Sequence, residues 1–97
     1  MIKRTSGKQG VKVQFVLPEE RVGDGAVSVV GEFNDWNPKK HPLRRRTNGT
    51  RSASVTLEPG RSYAFRYLGS GDRWLDEESA DGAVPNGFGG WNSILRT

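Results

Sequence analysis

Residues 51–67, RSASVTLEPGRSYAFRY, read as two strands joined by a tight turn. In the first half Ala53, Val55 and Leu57 alternate with Ser52, Ser54 and Thr56, so one face is apolar and the other a row of hydroxyls. A period of two is the geometry of a half-buried strand, whose successive side chains point to opposite sides. Glu58-Pro59-Gly60 then turns the chain, because proline presets φ at one centre and glycine accepts positive φ at the next. In the second half Tyr63, Phe65 and Tyr67 alternate with Ala64, Arg66 and Leu68. The aromatic set is expected to face a core, with Arg66 outward and its charge accessible.

The same grammar extends in both directions. Val11, Val13 and Phe15 alternate with Lys12 and Gln14 until Pro18, and a polar connection follows through Gly23, Asp24 and Gly25. Val27 and Val29 share one face of the next strand, which ends at Gly31. Residues 42–46 form a short strand candidate running into Asn48-Gly49, a strong hairpin signal. Beyond residue 67, Gly69-Ser70-Gly71-Asp72 turns the chain into a strand around Arg73-Trp74-Leu75. A polar, glycine-rich loop is expected from Asp76 to Gly90, and Ser93 to Arg96 reads as the closing strand. Apolar residues nowhere recur at helical spacing for more than about a turn. Short strands separated by turn signals define an all-β chain, an antiparallel sandwich or barrel. Polar residues 1–9 are expected as a flexible lead-in, leaving 10–97 as one domain.

Composition narrows the functions. A chain of 97 residues holds one modest core. No apolar run approaches the ~20 residues of a membrane span. The start, MIKRTSGKQG, lacks the apolar stretch of a signal peptide. Absence of cysteine leaves no disulfide and no thiolate metal site, which suits a reducing cytoplasm. The single His41 has no partner for a triad or a metal cluster, and neither metal nor cofactor is expected. The formal charge of +4 raises the question of anionic partners, and Arg44, Arg45 and Arg46 beside Lys39 and Lys40 make the one basic run. Such a run reads more simply as a solvated strand edge.

Three tryptophans in so short a chain are the strongest chemical signal. Trp36 lies among turn formers in Gly31-Glu32-Phe33-Asn34-Asp35-Trp36-Asn37-Pro38, and Trp74 follows a glycine-rich turn. If both rings share a surface they make a flat apolar platform. A pyranose presents a face of C–H groups to an indole while its hydroxyls need donors and acceptors at the edge. Arg66, Asn34 and Asn92 would supply those edge contacts. From the residues alone, platform and packing readings of the tryptophans stand side by side.

Residues 27–36, with Gly31-Glu32-Phe33-Asn34-Asp35-Trp36, resemble the glycine–x–phenylalanine–asparagine–x–tryptophan motif of the family 48 carbohydrate-binding modules. These include glycogen-binding domains of AMP-activated protein kinase β subunits and N-terminal domains of isoamylases and branching enzymes. The match continues in order through Leu43, Leu57-Glu58-Pro59-Gly60, Tyr63-Ala64-Phe65-Arg66-Tyr67, Trp74 and Asn92-Ser93-Ile94-Leu95, covering roughly residues 10–97. The resemblance implies an immunoglobulin-like antiparallel β-sandwich of the early-set type. It implies non-catalytic binding of α-1,4-glucan such as glycogen, starch or maltooligosaccharides. Trp36 and Trp74 would then be stacking platforms, Arg66 and Asn92 hydrogen-bonding groups, and Phe88 the loop residue entering the curve of the glucan. Trp91 is left to the core. Arg66 stands where the family has lysine, and Leu75-Asp76-Glu77-Glu78 replaces the usual aspartate–proline. The alternative implied by the same family is a vestigial site on a structural or protein-interaction domain, appended to or associated with a glycogen-metabolising enzyme such as a glycoside hydrolase.

Two other classes compete. Glycoside hydrolysis needs two carboxylates flanking a cleft. Asp35 and Asp76 lie near the proposed sugar site, but turn capping and solvation explain them more simply. Binding of single-stranded nucleic acid would interleave aromatics with the basic run. The tryptophans stand apart from it, so nucleic acid ranks behind glucan.

Overall fold

A computed structural model describes residues 1–23 and 25–97. Asp24, in the expected polar connection, lies outside the described residues. In chain order the strands are β1 Ile2–Gly7, β2 Gly10–Pro18, β3 Val27–Gly31, β4 Arg44–Arg45 and β5 Thr50–Leu57. They continue as β6 Ser62–Gly69, β7 Arg73–Leu75, β8 Gly82–Pro85 and β9 Trp91–Arg96. One sheet has the order β1-β2-β5-β4; the other has β3-β6-β9-β8, with β7 also paired to β6. All the pairings are antiparallel. The chain is an all-β sandwich, which decides between the two architectures the sequence left open.

The stretch 51–67 is the link between the layers. Its two strands do not pair with each other: β5 pairs with β2, while β6 pairs with β3 and β9. Glu58-Pro59-Gly60 therefore carries the chain across the sandwich, with Gly60 at φ 73°. A second crossing joins β3 and β4, an edge strand of each sheet. Pro42 bridges Ser28 and the Leu43 amide donates to the Val27 carbonyl, after which Arg44 and Arg45 pair with Ser52 and Arg51 of the first sheet.

Between the sheets the alternating residues interlock as expected. Phe15 is fully buried, with ring centroids 5.2 Å from Phe65, 5.7 Å from Phe33 and 6.3 Å from Tyr67. Val13, Leu17, Val29 and Leu95 complete a core without exposed surface. Burial of each such side chain is worth roughly 1.5–3 kcal/mol.

Four expectations need correction. The lead-in holds β1, paired with β2 from Ile2↔Phe15 to Gly7↔Gly10. Only Ile2 is shielded from solvent, so no apolar alternation announces this strand; backbone pairing and the Arg4–Asp81 ion pair hold it. The loop 76–90 contains β8, an edge strand whose Val84 and Pro85 pair with Asn92 and Trp91. Glu19–Val22 makes one helical turn. Ser52 faces outward yet is only 2% exposed, because the Arg46 Nε covers it and donates to its Oγ at 2.8 Å. The neighbouring Arg51 is buried too, donating to the carbonyls of Gly25 (2.6 Å) and Gly23 (2.8 Å).

Candidate functional site

The outer face of the second sheet carries the site. Phe65, Tyr67, Ser93 and Leu95 point into the core, so Arg66 and Asn92 point out. Trp74, paired with Leu68, stands on the same outer side as Arg66. Trp36, Arg66, Trp74, Phe88 and Asn92 meet around one open hollow of about 510 Å³, joined by Asn86.

Trp36 is delivered by a strained loop on a buried peg. After β3 the chain makes a single 3-10 turn at Glu32–Asn34. It starts at Gly31, where a Cβ would fall 2.6 Å from the Ala64 carbonyl oxygen and 2.8 Å from the Phe65 Cβ. Asn34 is expected at the edge of a sugar site, but the structure buries it at 2% exposure. Its Oδ1 accepts from the Gly31 amide at 3.0 Å, and its Nδ2 donates to the Val29 carbonyl at 3.0 Å and to His41 Nδ1 at 2.9 Å. Both amide protons are spent and the side chain is buried, so Asn34 supports the loop and does not line the hollow. Asp35 and Trp36 then take left-handed backbone, with φ of 56° and 58°. Non-glycine residues there carry roughly 1–2 kcal/mol of strain each. The indole emerges 38% exposed.

Arg66 and Trp74 are fixed to each other. The guanidinium carbon lies 5.0 Å from the Trp74 ring centroid, and Nε donates to Asp76 Oδ1 at 3.1 Å. The Arg66 side chain is thus only 18% exposed, less accessible than the alternation implies, while Trp74 remains 45% exposed. The segment 75–78, which departs from the family pattern, supplies this partner. It also supplies Glu77, whose side chain is fully buried and accepts from the Tyr67 hydroxyl at 2.6 Å and the Ser79 amide at 2.8 Å. Burial pushes the Glu77 carboxyl up, but those bonds and the nearby Met1 amine more than offset it and hold it below its usual range. Burial first, and then the Glu77 charge, push Tyr67 well above its ordinary value.

Phe88 stands 94% exposed on the β8–β9 turn. Asn86 builds that turn: its Oδ1 accepts from the Phe88 amide at 2.8 Å and the Gly90 amide at 3.1 Å. Gly87 and Gly89 supply positive φ of 80° and 85°. Asn86 is the lining residue that the sequence reading passed over; its signal is an asparagine opening a glycine-rich turn. Trp91 is not a core residue. It has the inward parity of Ser93 and Leu95 but occupies the first position of β9 opposite Pro85 on the edge strand, and is 58% exposed.

The hollow is open and aromatic, with amide and guanidinium donors at its rim, and Asp76 beside it is engaged by Arg66. A surface of that kind on a small antiparallel sandwich is the form of a binding or enzyme-associated domain. The profile of carbohydrate-binding module 48 (isoamylase N-terminal domain) matches residues 25–81, and the chain belongs to that family. Modules of this family are non-catalytic. The chain is 42% identical over 72 residues to the 1,4-alpha-glucan branching enzyme GlgB of Deinococcus radiodurans, covering 73% of this chain and 10% of that protein. It is 37% identical over 65 residues to GlgB of Novosphingobium aromaticivorans (65% and 8%). With GlgB of Pseudomonas syringae pv. tomato it shares 35% over 71 residues (71% and 9%). The chain thus corresponds to about a tenth of the length of these relatives.

Proposed function

We propose that this chain binds α-1,4-glucan, as in glycogen or maltooligosaccharides, on the outer face of the second sheet and breaks no bond. The observation that carries the reading is the convergence of Trp36, Trp74, Arg66, Asn92 and Phe88 on one hollow from four separate parts of the sequence. In this reading Trp36 and Trp74 stack on glucose rings. Asn92 and the guanidinium nitrogens that Asp76 leaves free bond hydroxyls, and Phe88 follows the inner curve of the chain. Each half-exposed indole offers about 100 Å² to a sugar, worth on the order of 2 kcal/mol. Affinity for short oligosaccharides is accordingly expected in the micromolar to millimolar range.

Retention on immobilised glycogen or β-cyclodextrin tests it. Trp36→Ala and Trp74→Ala are each expected to weaken binding about 30-fold while near-ultraviolet circular dichroism keeps the signature of a packed core. Unchanged retention in both variants would overturn the site.

The relatives support a second reading, a structural domain serving a glycogen-branching enzyme, because the matched segment is a small part of each. A wild-type chain that ignores glucan yet associates with such an enzyme would favour it.

A further inference from the structure

The first sheet presents the opposite outer face, and its chemistry is different. A hollow of about 240 Å³ beside β4 and β5 is lined by Lys40, His41, Arg44, Arg46, Ser52 and Ser54, with no carboxylate among the described residues of its walls. The charge pattern elsewhere makes this selective. Among the described residues Arg4, Arg21, Arg45, Arg51, Arg61 and Arg66 each pair with an acid. Arg73 and Arg96 donate to backbone carbonyls. Among the described residues neither Arg44 nor Arg46 has an acidic partner, and both line this hollow.

Two of the donors are held in place. Arg46 is braced on β5, its Nε donating to Ser52 Oγ at 2.8 Å and an Nη to the Ser52 carbonyl at 3.4 Å, which leaves guanidinium N–H groups directed elsewhere. His41 Nδ1 accepts from Asn34 Nδ2, whose own orientation is fixed by its bonds to Val29 and Gly31. The neutral ring then carries its proton on Nε2. Cations, an imidazole N–H and the exposed Ser54 hydroxyl, with no acid beside them, are the donor set of an anion site, and a forked guanidinium suits a phosphoryl group.

We propose that this hollow binds a phosphoryl group, as a free phosphate ion or a phosphate monoester, on the sheet face opposite the proposed glucan site. The test is titration of the ¹⁵N-labelled chain with inorganic phosphate and, separately, with glucose 6-phosphate at constant ionic strength. Saturable amide shifts are expected at residues 40–46 and 52–54. The doubly substituted Arg44→Gln, Arg46→Gln chain is expected to bind at least about tenfold more weakly, with Trp36→Ala unchanged. Tighter binding of glucose 6-phosphate than of phosphate assigns the site to an ester; equal binding assigns it to the free anion. Shifts spread evenly over Lys3, Lys8 and Lys12, or equal affinity in the double variant, would overturn the proposal. If loss of the Arg46–Ser52 bonds unfolds that variant, Arg44→Gln alone carries the test. Arg44 is exposed and its side chain bonds to none of the described residues, so its variant should fold and bind several-fold more weakly; unchanged binding would likewise overturn the proposal.

Discussion

Replacing Asn34 by alanine separates a support from a ligand contact. The side chain is 2% exposed and makes hydrogen bonds to the Gly31 amide, the Val29 carbonyl and His41 Nδ1. Alanine leaves the first two backbone groups buried without partners, at about 1–3 kcal/mol each, whereas His41 is partly exposed and can turn to water. With about 1 kcal/mol for the small void left by the amide, the loss comes to roughly 3–7 kcal/mol. For a domain of this size each kcal/mol moves Tm by about 4–8 °C, so Asn34→Ala should melt roughly 12–56 °C below wild type. Thermal unfolding followed by circular dichroism reads the shift directly. Glycogen retention, measured well below the variant's Tm, should fall only as far as the Trp36 loop loosens. A Tm within about 3 °C of wild type together with complete loss of retention would refute the reasoning, because Asn34 would then be touching sugar and not the backbone.

Gly31→Ala should destabilise by at least about 2 kcal/mol, since the added methyl meets the Ala64 carbonyl at 2.6 Å, a backbone atom that cannot swing aside; urea midpoints of the two proteins check it. Glu77→Gln tests the buried carboxylate through pH. Glu77 is held below its ordinary 4.5 in the folded chain, so its ionised form adds stability above that value, and this stability is lost as pH falls through the folded value. The wild type should therefore melt well above Glu77→Gln at pH 7, and the gap should close only as pH falls below 4.5 and through the lowered folded value; a gap independent of pH would contradict the assignment.

The legible part of the fold was the part written in alternation. Val13, Phe15, Val29, Ala53, Phe65 and Tyr67 each carry an apolar or aromatic side chain every second residue, and each lies in the core. β1 was not legible because Lys3, Arg4, Thr5 and Ser6 bury nothing; their strand is held by backbone bonds to β2 and by Arg4. β8 was hidden in the same way at the other edge, where Gly82 and Pro85 look like loop residues. Most of the candidate site followed from the tryptophans and the family motif. The exceptions follow from features that spacing does not encode. Asn34 sits in a polar-looking run, yet the 3-10 turn folds its amide inward. Trp91 has the right parity for the core but stands at the first position of β9, opposite Pro85 of the edge strand, and stays exposed.

The devices around the hollow bear on whether it is a working platform or a remnant. Trp36 and Asp35 together hold about 2–4 kcal/mol of left-handed strain, and the ring so positioned is left 38% exposed. A tryptophan placed for packing alone would gain more from a relaxed backbone and full burial. Asn34 opposes the strain, Asp76 and the Trp74 ring together orient Arg66, and the Asn86 turn lifts Phe88 into solvent. Each of these arrangements fixes a ring or donor before any ligand arrives, which lowers the ordering cost of binding. Phe88, with 94% of its surface exposed, gives the core almost nothing. Its position becomes favourable only when an apolar surface covers it, and the curved inner wall of an α-glucan is such a surface. On the function proposed above, one occupant of the hollow would account for the backbone strain and the exposed phenylalanine together, which packing in the core does not.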